Sequence, residues 1–71
     1  MHISNARQFG EALRKRRKEL KYTQAFLAEF SGFSVSFLSD LEHGKATAEL
    51  GKALYIANIL GLDLNLEPRG E

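Results

Sequence analysis

The run Thr23 to Gly44, TQAFLAEFSGFSVSFLSDLEHG, places Gln24, Ser34, Ser36, Ser39 and Asp40 around an apolar Val35. Their amide, hydroxyl and carboxylate groups exchange hydrogen bonds, and none stands beside a partner that would make it a nucleophile. Gln24, in the first turn of a helix, can hold a phosphate with its amide and the free backbone N–H groups around it. Ser34 can cap its own helix and also offer a hydroxyl to a phosphate. If the following helix enters a major groove, Ser36 and Ser39 can bond base edges, Val35 can touch a thymine methyl, and Asp40 can accept from cytosine N4. None of these is a bidentate reader, so direct readout is modest and half-site spacing and DNA shape carry much of the specificity. The competing reading makes Gln24 an ordinary surface glutamine and the segment a packing corner between helices.

Charge favours a polyanion. Through residue 24 there are seven bases against two acids, whereas three bases meet seven acids in the remainder, within a chain of net charge +1. A basic first part beside an acidic second part suggests two faces with different partners. Arg14, Lys18, Lys21 and Lys45 are the candidates for phosphate contacts, which strengthen binding to all sequences about equally.

Other chemistry is poorly supplied. The chain has no cysteine, and His2 and His43 are too few to hold zinc, so no metal site is expected. No histidine flanks a nucleophile, no glycine-rich loop cradles phosphates, and no paired carboxylates fall in a cleft. We therefore expect no catalytic residues, no enzyme activity and no cofactor. No apolar run approaches the roughly 18 residues of a membrane span, and the start lacks a secretory signal, which predicts a cytoplasmic protein without a membrane partner. At 71 residues one core seldom contributes more than about 3–5 kcal/mol, so self-association is the expected reinforcement.

The elements that must position these residues are legible from caps and periodicity. Asn5 with Gln8 opens a helix over about 5–20, with Phe9, Ala12, Leu13, Arg17 and Leu20 on one stripe. Thr23 caps a second helix through Phe30 or Ser31 that turns Leu27 and Ala28 inward. Gly32 supplies the positive φ that ends it, and Ser34 caps a third helix over about 35–42 that buries Leu38 and Leu41. This is the plan of a helix-turn-helix. Thr47 is placed as the cap of a fourth helix, with Leu50, Ala53, Leu54, Ala57 and Leu60 inward and a stop at Gly61; Gly51 is read as tolerated near its start. Leu62, Leu64 and Leu66 then alternate with polar residues, as in a strand. A lone strand needs a second edge, and another copy of the chain is the nearest candidate. Arg17, on the apolar stripe, pairs with Glu42 as a structural ion pair joining two helices. Phe26, Phe30, Phe33 and Phe37 make an aromatic concentration that widens the core, covers a subunit contact or forms an apolar patch for another protein.

Together, Thr23-Gln24, Leu27-Ala28, Gly32, Leu38-Ser39, Leu41-Glu42 and Gly44 make the chain resemble the λ-repressor-like helix-turn-helix domains of the Cro/C1 or XRE type. Phe37 to Glu42, Gly44-Lys45 with Thr47, and Leu60 to Leu64 resemble, more narrowly, the short HipB-like antitoxins. The resemblance implies an all-α bundle of four to five helices plus one short C-terminal β-strand pairing across a dimer. Residues 1–71 then form a single domain, with 62–67 as the dimerisation strand and Leu62, Leu64 and Leu66 at the contact. It also implies a homodimeric repressor, in the nucleoid of a bacterial cytoplasm, on a palindromic operator of double-stranded DNA in its own promoter. Its further partner would be a HipA-like serine/threonine kinase toxin. By position Gln24, Ser34, Val35, Ser36 and Asp40 fall at DNA contacts. Phe26 and Phe30 depart from the family by occupying places that are usually polar, and Ala46 by standing where proline is common. A stand-alone phage or mobile-element repressor, and a protein-interaction module, remain as alternatives.

Overall fold

The computed structural model describes residues 2–70; Met1 and Glu71, the two ends of the expected domain, lie outside them. Four helices follow one another: α1 Ala6–Glu19, α2 Gln24–Ser31, α3 Val35–Glu42 and α4 Leu50–Ile59. Local hydrogen bonds start the first three. Asn5 Oδ1 accepts from the Gln8 N–H at 2.8 Å, and Gln8 Oε1 accepts in return from Ser4, one residue before the cap. Thr23 Oγ1 and Ser34 Oγ accept from the N–H groups of Phe26 and Phe37, at 3.0 and 2.9 Å. Each satisfies one of the donors that a helix start leaves unpaired. Gly32 turns the chain between α2 and α3 at φ 82°, a left-handed conformation that costs glycine little. Lys21, at φ 62°, makes the corresponding turn after α1 without that freedom.

The expected cap at Thr47 does not form: Glu49 occupies that place, and its side chain makes no capping bond. The inward face of α4 also differs from expectation. Ala53, Ile56, Ala57 and Leu60 are buried, whereas Leu50 is 70% and Leu54 41% exposed. One residue along a helix is a rotation of about 100°, so Leu54 cannot share the face of Ala53 once Ile56 and Ala57 complete that stripe. The buried side chains of α4 meet Leu13 of α1, Leu27 and Ala28 of α2, and Leu38 and Leu41 of α3 in one core. At the closest approach of α1 to α3 stands Gly10, where a Cβ would run into the carbonyl oxygens of Leu41 and Glu42.

No strand is present among the described residues. Residues 62–70 carry no regular structure, because a strand needs a neighbouring edge for its N–H and C=O groups and one chain offers none. The Leu62 N–H donates to Ala57 O at 3.0 Å and its half-buried side chain packs on the core of its own chain, while Leu64 and Leu66 stay exposed. No helix among the described residues is long and apolar enough to cross a membrane.

Candidate nucleic-acid interface

The junction of α1, α2 and α3 is built on charge buried from water. Arg17 Nε lies 2.7 Å from Glu42 Oε2 and its Nη2 3.0 Å from Oε1, while Nη1 donates to Tyr22 O at 2.7 Å. The guanidinium fork thus meets the carboxylate in the two-point geometry that planar groups allow. Gln24 Nε2 donates to the same Oε1 at 3.0 Å. Burial alone would raise the Glu42 carboxyl, but the hydrogen bonds from Arg17 and Gln24, with the charges of Arg17 and Arg14, outweigh it. The carboxyl is held below its ordinary range. One amide hydrogen of Gln24 therefore points at a buried acid, and only the other remains for a phosphate.

α3 presents Val35, Ser36 and Asp40 to solvent together with its cap Ser34, while Leu38 and Leu41 anchor the opposite side. Ser39 is half-buried, with its hydroxyl 3.5 Å from His43 Nδ1. Asp40 does not stand alone, since Lys45 Nζ lies 3.5 Å from its Oδ2. That contact softens the repulsion between Asp40 and a phosphate and engages Lys45, one of the expected cationic contacts.

An open cleft of about 520 Å³ runs beside this surface, lined by Arg7, Glu11, Arg14 and Arg17 of α1, Gln24 of α2, and Ser39, Glu42 and His43. It brings Arg14, Gln24 and Ser39 together. It does not include Lys18, which shares another part of α1 with Lys15 and Glu19, or Lys21 in the turn. Arg7, Glu11 and His43 are its unforeseen members. Arg7 was visible only as one charge among many, and the neighbour of His43 across the fold could not be read along the chain.

Two further cationic and aromatic groupings lie outside the cleft. Arg16 Nε donates to Leu60 O at 2.9 Å and so caps the end of α4. The phenylalanines divide: Phe33 and Phe37 pack edge-on, with Lys52 Nζ 5.5 and 5.7 Å from their centroids, whereas the half-buried Tyr22 and the exposed Phe26 and Phe30 form a ladder with centroid spacings of 4.9 and 6.2 Å.

Residues 13–66 match a family model described as Helix-turn-helix, HTH_3. The "Uncharacterized HTH-type transcriptional regulator y4mF" of Sinorhizobium fredii (strain NBRC 101917 / NGR234) is 36% identical over 69 residues, spanning 97% of this chain and 91% of the relative. Among solved structures, a HipB variant with one serine replaced by alanine, in complex with an O2 20mer, superposes with a TM-score of 0.88 at 24% identity, covering 99% of this chain and 97% of the other. A "HipB-O4 20mer complex" gives 0.87 at 23% identity, with 99% of each chain covered. At that identity the two structural comparisons establish a shared fold.

Proposed function

The chain belongs to the helix-turn-helix family HTH_3 of DNA-binding transcriptional regulators, and from that premise we propose that it acts as a homodimeric repressor on a palindromic operator in its own promoter. The observation that carries this reading is the pairing of an exposed α3 face, Ser34, Val35, Ser36 and Asp40, with a basic α1 through the buried Arg17–Glu42 bridge. A helix held rigidly against a basic neighbour can be presented to a groove at a set angle while cations meet the backbone. Gln24, Ser39, Arg14, Lys18, Lys21 and Lys45 are assigned to the same interface. A dimer would be closed by Leu64 and Leu66 pairing with their copies. The exposed Leu54 and Tyr55 would join them, since both line a surface depression with Leu64.

The finer assignment is the antitoxin of a HipA-like serine/threonine kinase toxin in a bacterial cytoplasm. It is supported by the resemblance of Phe37 to Glu42 and Leu60 to Leu64 to HipB-like sequences, and by a fold shared with HipB complexes. A duplex from the region upstream of the gene tests the first part: Gln24→Ala with Ser36→Ala should lower its affinity at least about tenfold with helicity and oligomeric state unchanged. Equal binding of that duplex and a scrambled one would overturn operator recognition. Copurification of a kinase encoded next to the gene tests the second part, and its absence favours a stand-alone repressor.

A further inference from the structure

His43, at the C-cap of α3, lines the cleft, and the surface described above gives it no task. Its Nδ1 lies 2.7 Å from the carbonyl oxygen of Ser39. A carbonyl oxygen only accepts, so Nδ1 carries the ring proton. Nε2 is then the ring nitrogen left to solvent on an exposed side chain. In the neutral ring Nε2 is an acceptor, and phosphate oxygens are acceptors too. Neutral His43 therefore offers a phosphate no hydrogen bond. A second proton on the ring makes Nε2 a charged donor that a phosphate oxygen can accept from.

The surroundings favour an anion arriving from outside. Arg7, Glu11, Arg14 and Arg17 face the cleft from α1, Gln24 from α2, and Glu42 from α3. Glu42 is engaged by Arg17 and Gln24, and Glu11 lies 3.6 Å from Arg7. Lys45, beyond His43, is turned to Asp40. Three arginines against two carboxylates leave the cleft with one excess positive charge when the ring is neutral and two when it is charged. Neither carboxylate of the cleft pairs with His43.

We propose that the cleft of Arg7, Arg14 and His43 seats one backbone phosphate of bound DNA, and that His43 engages it only in its doubly protonated form. The inference rests on the DNA-binding reading and adds a proton to it: each protomer gains a phosphate contact as the pH falls.

Salt titrations of binding at pH 5.5 and pH 8, on a random-sequence duplex and on the upstream duplex, test it. Each phosphate contact steepens the dependence of log affinity on log salt by about 0.9. The wild type should be steeper by about that amount per bound protomer at pH 5.5, and about three- to tenfold tighter at fixed salt. His43→Gln should keep the shallow slope at both pH values, and His43→Lys the steep slope at both. Circular dichroism confirms that these exposed substitutions leave the fold intact. His2→Gln, at the other histidine, should respond as the wild type does. Equal wild-type slopes, or a pH response that survives in His43→Gln, would overturn the seat. Equal affinity for the upstream and random duplexes overturns operator recognition instead, while the slopes on random duplex still decide the seat.

Discussion

Arg17 carries a charge into a place where only 9% of its side chain meets solvent, and Glu42 is more enclosed still at 3%. Removing charges from water is expensive, and the attraction between them offsets that cost only while both remain. Arg17→Ala leaves Glu42 buried without its fork and should cost about 3–5 kcal/mol, enough to unfold most of a domain this small. Arg17→Met with Glu42→Leu should recover much of that loss, read as thermal midpoints of the three proteins. The same pair sets an acid limit. Because the folded Glu42 carboxyl is held below its unfolded value, its stabilisation is complete above the unfolded pKa and disappears as the pH falls through the folded one. Urea midpoints should therefore drop more steeply below about pH 4 in the wild type than in Glu42→Gln. Parallel curves would remove Glu42 from the acid response. This pairing could be anticipated along the chain because an arginine on an apolar stripe demands a counter-charge. The third partner, Gln24, could not, since only the crossing of α2 over α3 brings its amide to Glu42.

At the scale of elements, the starts of α1, α2 and α3 were legible because a cap bonds three residues ahead in its own chain. The start of α4 was not, because Glu49 begins it without a side-chain cap and the preceding loop sets the chain direction. Its buried face departs from the periodicity for a related reason: Leu50 and Leu54 are as apolar as Ile56, and only the position of the other helices selects among them. Gly10 is a second feature that tertiary contact explains. Glycine inside a helix costs about 1 kcal/mol relative to alanine, yet here any Cβ meets the backbone of α3. Gly10→Ala should thus destabilise by about 1–3 kcal/mol through overpacking, despite its better helix propensity. Gly51, with open space where its Cβ would stand, provides the contrast: Gly51→Ala should leave the monomer unchanged or slightly stabilised. Thermal denaturation of both variants checks the pair.

For the whole molecule, the small core leaves α4 and the tail with large apolar side chains in water. Leu50, Leu54, Tyr55, Leu64 and Leu66 are each at least 41% exposed. Burying a leucine fully is worth about 1.5–3 kcal/mol, so a contact between two copies there would supply stability that 71 residues alone do not. Leu64→Asp with Leu66→Asp should weaken dimerisation at least about tenfold in sedimentation equilibrium and lower affinity for a duplex with two half-sites. Affinity for an isolated half-site should change little. Unaltered sedimentation would move the subunit contact away from the tail.

The amino-acid sequence by itself determined the all-α class, three of the four helix starts, the glycine turn between α2 and α3, and the polar residues set out along α3. These depend on bonds and periodicities that span three or four residues. Tertiary structure alone decided which face of α4 is buried, why Gly10 must lack a side chain, and that Leu62 belongs to its own core. It also decided that Arg7, Arg14 and His43 line one cleft beside the Arg17–Glu42 bridge. Those outcomes depend on how α1 crosses α3, which is set by the summed packing of side chains far apart in the chain.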